Sequence, residues 1–101
     1  MKGYYKDTMV VARMVDGEGF LVPVADDMKE MHRIYKLNDL GWFIWQYIDR
    51  AADLDELSSL ISLEFDVERA IARKDAQDFL EDLVRVGAIF SEEEESDGPH
   101  D

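Results

Sequence analysis

Short β-branched runs occupy the first third of this chain, and one-sided apolar stripes at helical spacing occupy most of the rest. Met9 to Val15 is rich in β-branched residues and reads as a strand. Asp16-Gly17-Glu18-Gly19 follows, then Phe20-Leu21-Val22-Pro23-Val24 as a second strand. An Asp-Gly pair between two apolar runs predicts a hairpin, because glycine supplies the positive φ that the turn requires. Pro23 lacks a backbone donor, which confines it to a strand end, an edge or a bulge. Residues 25–33 are polar and without alternation, and read as a loop. Ile34-Tyr35-Lys36-Leu37 alternates again and is the third expected strand.

From Asn38 the period changes. Asn38 is a helix cap by type, and Asp39 suits the positive end of a helix. Leu40, Phe43, Ile44, Tyr47 and Ile48 recur at i, i+3, i+4, i+7 and i+8, which predicts an apolar stripe facing the core. Gly41 inside that stripe costs about 1 kcal/mol relative to alanine, and points to close packing. Asp53 with Glu56 resembles a capping box for a second helix carrying Leu54, Leu57, Leu60, Ile61 and Phe65. Asp66 is the expected cap of a third helix to about Val86, with Ala72, Ala76, Phe79, Leu80 and Leu83 inward. Gly87 is a stop signal, and Ala88-Ile89-Phe90 forms either a short last strand or a packed segment. The expected layout is a loose lead-in over 1–8, a folded domain over 9–90 and a disordered acidic tail over 91–101. Three strands followed by three helices is an α+β arrangement.

Charge and composition then remove whole function classes. Eleven Lys and Arg stand against twenty-four Asp and Glu, for a formal net charge of −13. Nucleic-acid binders neutralise phosphates with clustered cations, so the charge disfavours nucleic acid and anionic membranes as partners. The chain has no cysteine, which excludes disulfides, thiolate catalysis and cysteine-based metal sites and fits a cytoplasmic setting. No apolar run approaches the roughly 18–20 residues that span a bilayer. His32 and His100 lack partners at metal-ligand spacing, and no serine sits in a nucleophile motif. No metal, cofactor or catalytic residue is expected.

What remains is binding. The third strand, Ile34 to Leu37, is short, alternating and free of proline. Such a strand is either covered by a helix or open to another chain, which adds to it through main-chain hydrogen bonds. Trp42 falls off the helical stripe, so it either packs against the sheet or contributes to an exposed aromatic patch for a partner.

The ordered set Leu21-Val22-Pro23-Val24, Tyr35-Lys36-Leu37-Asn38, Ile44-Trp45 with Asp49, Asp55-Glu56-Leu57, Phe65-Asp66-Val67, Asp75-Ala76 with Phe79-Leu80 and Leu83, then Gly87-Ala88-Ile89 resembles the PqqD family, also called RiPP recognition elements. The resemblance covers residues 9–90. It implies a winged-helix-like fold: a three-stranded antiparallel sheet followed by three helices. It implies no catalysis. It also implies capture of the leader of a ribosomally made precursor peptide, which adds as a strand and is presented to a modifying enzyme, often a radical SAM protein. Carried over by position, the peptide would meet Ile34, Tyr35, Lys36 and Leu37, with Lys74, Asp75, Asp78, Phe79 and Asp82 of the third helix beside it. The chain departs from the family pattern at Leu40, where threonine is frequent, at Trp42, where a small residue is common, and at Asp49-Arg50, where Asp-Gly is usual. Trp42 is thereby a candidate partner contact. The acidic third helix predicts a leader bearing Lys or Arg. The competing readings are a winged-helix DNA-binding protein, which the charge opposes, and a weak homodimer through the third strand in place of a monomer.

Overall fold

The Asp-Gly pair makes the hairpin. In the computed structural model, which describes residues 1–24 and 33–92, β2 (Val10–Val15) and β3 (Glu18–Pro23) pair antiparallel with Val15 opposite Glu18. Asp16 and Gly17 have φ of 51° and 80°, the two positive values that a two-residue primed turn needs. Pro23 ends β3 opposite Val10. β4 (Tyr35–Leu37) joins the other side of β3, giving the order β2-β3-β4.

A first strand precedes these. β1 (Tyr4–Lys6) pairs antiparallel with β5 (Ile89–Ser91) in a separate ribbon, so the lead-in expected over 1–8 carries structure. The reason is non-local. The chain returns after the third helix with Ala88 and Ile89 buried. Asp7 N–H donates to the Ala88 carbonyl at 3.0 Å, and Glu92 N–H to that of Gly3 at 2.9 Å. Lys6 adds an ion pair to Asp49 at 2.9 Å and stands 4.6 Å over the Trp45 ring. Ser91, expected in the tail, closes β5; the rest of that tail beyond Glu92, like loop residues 25–32 with His32, lies outside the described residues.

α1 (Asp39–Tyr47) starts where its cap predicts: the Asn38 carboxamide oxygen accepts from Gly41 N–H at 2.7 Å. Replacing Asn38 by alanine is expected to cost about 1 kcal/mol. For a domain of this size that lowers Tm by about 4–8 °C. A thermal melt followed by circular dichroism measures it.

The buried face of α1 is rotated from the expected stripe. Gly41, Ile44, Trp45 and the following Ile48 are buried, while Leu40, Phe43 and Tyr47 are half-buried. Apolar residues surround most of this helix, so period alone does not centre its face. Trp42 rests on β3 and Phe43 on the next helix, which fixes the rotation.

α2 (Leu54–Phe65) is capped by Asp53, whose carboxylate accepts from Glu56 N–H at 2.9 Å. Glu56 reaches back to Ala52 N–H at 2.6 Å, one residue before the usual capping-box donor. Asp66 does not cap the third helix. It takes the left-handed conformation (φ 55°, ψ 51°) and closes α2, its N–H donating to the Ser62 carbonyl. Asp serves at either helix end, as a side-chain acceptor or as a tolerated left-handed residue, so its type alone leaves the role open. α3 (Arg69–Val86) instead starts after Glu68, whose side chain makes no cap bond, and ends at Gly87 with φ 86°. Ala72, Ala76, Leu80 and Leu83 of α3 pack on Leu57 and Ile61 of α2, with Leu21 and Leu37 of the sheet completing the core.

Candidate functional site

β4 has a strand on one side only. Leu37, Lys36 and Tyr35 pair with Gly19, Phe20 and Leu21 of β3, and among the described residues no strand occupies its other edge. Residues opposite one another share a sheet face, and faces alternate. Tyr35 and Leu37 therefore project to the side of buried Leu21, and Lys36 to the opposite side with Phe20. The consequences for the four expected contact residues differ. Ile34 precedes the strand and is 63% exposed. Tyr35 is half-buried, and its ring lies 6.4 Å from that of Phe79 on α3. Lys36 is exposed and pairs with Glu18 at 3.5 Å. Leu37 is a core residue at 3% exposure, so only its backbone is free for an edge contact.

Beside β4 a cavity of about 310 Å³ lies between the first turn of α1 and the flank of α3. Asn38, Leu40 and Gly41 form one wall, and Asp75, Asp78, Phe79 and Asp82 the other. Asp75, Asp78 and Asp82 recur at i, i+3 and i+7, which aligns their carboxylates in one row along the helix. Gly41 is what lets the walls meet. A Cβ there would stand 2.9 Å from Phe79 Cζ, so a larger residue would force that ring aside.

The charges of the row are unequally held. Lys74 pairs with Asp78 at 2.9 Å, and this hydrogen bond, with the attraction of the carboxylate, raises the pKa of the ammonium. Arg85 pairs with Asp82. Asp75 has no ion-pair partner among the described residues. Burial, then the negative charge of Asp82, raises the pKa of the Tyr35 phenol, with Arg85 partly opposing. The phenol therefore stays neutral and able to donate a hydrogen bond across the physiological range.

The structure thus brings Tyr35, Asp75, Asp78, Phe79 and Asp82 to one place, with Lys74 attached through its ion pair. Trp42 stands apart, on the other face of α1 against Gly19. Asn38 and Leu40 belong to the cavity wall and are not among the expected contacts. Asn38 is legible only as a cap, and nothing in a linear pattern reveals that a cap also lines a groove. No group of His, Asp or Glu that could hold a metal ion occurs among the described residues. None of their helices is long and apolar enough to cross a membrane.

Residues 14–89 match the family model described as coenzyme PQQ synthesis protein D, PqqD. The chain belongs to the PqqD family. No curated protein matches it. Among solved structures, the PqqD fold of this chain is shared with "TbiB1 in Complex with the TbiA(beta) Leader Peptide", at a TM-score of 0.68 and 23% identity, over 83% of this chain and 92% of that one. The matched span runs from the end of β2 to β5 and includes both walls of the cavity. The three-stranded antiparallel sheet and three helices are the α+β arrangement expected of a PqqD domain; the β1-β5 ribbon is added to it.

Proposed function

We propose that this chain is a non-catalytic, cytoplasmic leader-binding adaptor, a RiPP recognition element. It takes the leader of a precursor peptide as an added strand on β4 and presents it to a modifying enzyme, of which a radical SAM protein is the expected type. The observation that carries this reading is the edge of β4 that is unpartnered among the described residues, beside a cavity walled by Phe79 and three aspartates. Main-chain pairing would supply affinity, and the cavity would read alternate leader side chains. That the structurally similar TbiB1 holds a leader peptide supports it further.

The charge arrangement adds a chemical preference and weighs against DNA. Of the four cations of α3, Arg73 is paired with Asp55, Lys74 with Asp78 and Arg85 with Asp82. The fourth, Arg69, donates to the Asp55 carbonyl at 3.4 Å. Little is left to neutralise phosphates. Asp75, in contrast, is available to a cation, so the leader should place a Lys or Arg side chain over it.

A synthetic peptide with the leader sequence of a candidate precursor serves for the test. Its affinity is expected to fall several-fold as ionic strength rises from about 0.01 M to about 0.15 M, while the Debye length shrinks from about 30 Å to about 8 Å. D75N is expected to flatten that dependence. Calorimetric titration of both proteins reads the effect, and a salt-independent affinity would remove the charge preference from the account.

A further inference from the structure

A second hollow lies on the other flank of the first turn of α1. It has a volume of about 340 Å³ and is walled by Met14, Trp42, Phe43, Tyr47 and Phe65. We propose that it is a docking site for an arginine side chain presented by a basic partner protein distinct from the leader peptide. The inference rests on the lining of this hollow and is independent of the groove beside α3.

The aromatic wall is built before any ligand arrives. Phe43 stands 4.7 Å from Tyr47 and meets Phe65 edge-on at 5.4 Å, ring centre to ring centre. Trp42 is seated on the backbone of β3 at Gly19. A Cβ at Gly19 would lie 2.5 Å from Trp42 Cε3, closer than any relaxed contact. Gly19 has no positive φ, so glycine is required here for space and not for the hairpin turn. All four rings are half-buried, which holds each in place and leaves part of it exposed.

The charge of the lining selects the occupant. Among the described residues two carboxylates, Asp39 and Glu64, stand in it, and no Lys or Arg does. Neither has an ion-pair partner among the described residues. Aromatic faces attract cations, and a guanidinium both stacks on rings and offers its planar fork to a carboxylate. The cluster already holds one arginine on its outer side: the Arg50 guanidinium carbon lies 5.8 Å from the Tyr47 ring, outside the hollow. A second copy of a chain with net charge −13 is a poor occupant, since the two would repel. A basic protein surface is the complementary one. Trp, Tyr and Arg are also the residue types that dominate binding energy at protein interfaces.

The probe is N-acetyl-arginine methylamide, titrated into the ¹⁵N-labelled full chain, with N-acetyl-norleucine methylamide as the uncharged control. The expected result is a saturable shift of the Trp42 indole N–H with the arginine compound, at least about threefold stronger in affinity than with norleucine. In the D39N/E64Q double variant, whose two sites are exposed or peripheral to the core, that preference is expected to vanish. Gly19→Ala is expected to displace Trp42 and weaken the arginine response while the leader still binds. Three results would overturn the proposal: no saturable indole shift, equal affinity for the two compounds, or displacement of the arginine compound by the leader peptide, which would assign the hollow to the leader.

Discussion

Replacing Phe79 by alanine is expected to weaken leader binding by about 30-fold while the chain stays folded. Among the described residues Phe79 is the one aromatic residue in the cavity wall, and it touches both sides of the site. Its ring faces Tyr35 of β4 at 6.4 Å and fills the space that Gly41 leaves open on α1. Aromatic anchors at the centre of an interface cost about 2 kcal/mol or more when truncated. At about 1.4 kcal/mol per factor of ten, that is the fold-change expected. The residue is only half-buried, so the loss in stability should stay below the about 3–5 kcal/mol of a fully buried phenylalanine. Calorimetric titration gives the affinity, and far-ultraviolet circular dichroism shows whether the helices persist. An unchanged affinity would make Phe79 a packing residue only.

Leu21→Ala is expected to act in the opposite sense, with a large loss of stability and little intrinsic effect on recognition. Leu21 has no exposed surface and sits at the centre of β3, between Ala12 of β2 and Tyr35 of β4. It ties the sheet to the helical core. Buried Leu→Ala changes cost about 2–5 kcal/mol, a large share of the about 5–15 kcal/mol that a domain has in total. Tm should fall by at least about 10 °C. Below the melting transition, the folded fraction should still bind the leader. Leu63→Ala is the control: at 83% exposure Leu63 packs on little, and the change should stay within about 0.5 kcal/mol. Scanning calorimetry on the three proteins reads both effects. Equal Tm values for the L21A and L63A proteins would contradict the assigned core.

The features legible along the chain are those whose cause is local. Asp16-Gly17 makes its turn with its own backbone angles, and Asn38 and Asp53 cap helices three residues away. The short alternation of residues 34–37 marks a strand without reference to the rest of the molecule. The features that were hidden depend on distant partners. Tyr4–Lys6 becomes a strand only because Ile89–Ser91 returns beside it. The face of α1 turns because Trp42 finds Gly19 and Phe43 finds Phe65. Asp66 reads equally well as the start of one helix or the end of another, and the left-handed closure of α2 takes it.

The candidate site follows the same division. Tyr35, Phe79 and the aspartates of α3 were identifiable from the resemblance to PqqD proteins, because strand and helix order places them together. Which further side chains line the groove, and which of those named are withdrawn from it, was not identifiable. Leu37 is withdrawn into the core by its pairing with Gly19, and Asn38 and Leu40 enter the wall through the entry angle of α1. Gly19 read as a turn residue and is instead the seat of Trp42.

The central claim is that the leader adds to β4 as a strand. It is tested most directly by titrating the ¹⁵N-labelled chain with the leader and following backbone amides by NMR. The account predicts shifts centred on Ile34 to Leu37 and on the α3 face bearing Asp75, Phe79 and Asp82, with new protection from hydrogen exchange along β4. Shifts confined to residues 25–33 or to the acidic tail, with β4 unchanged, would contradict it.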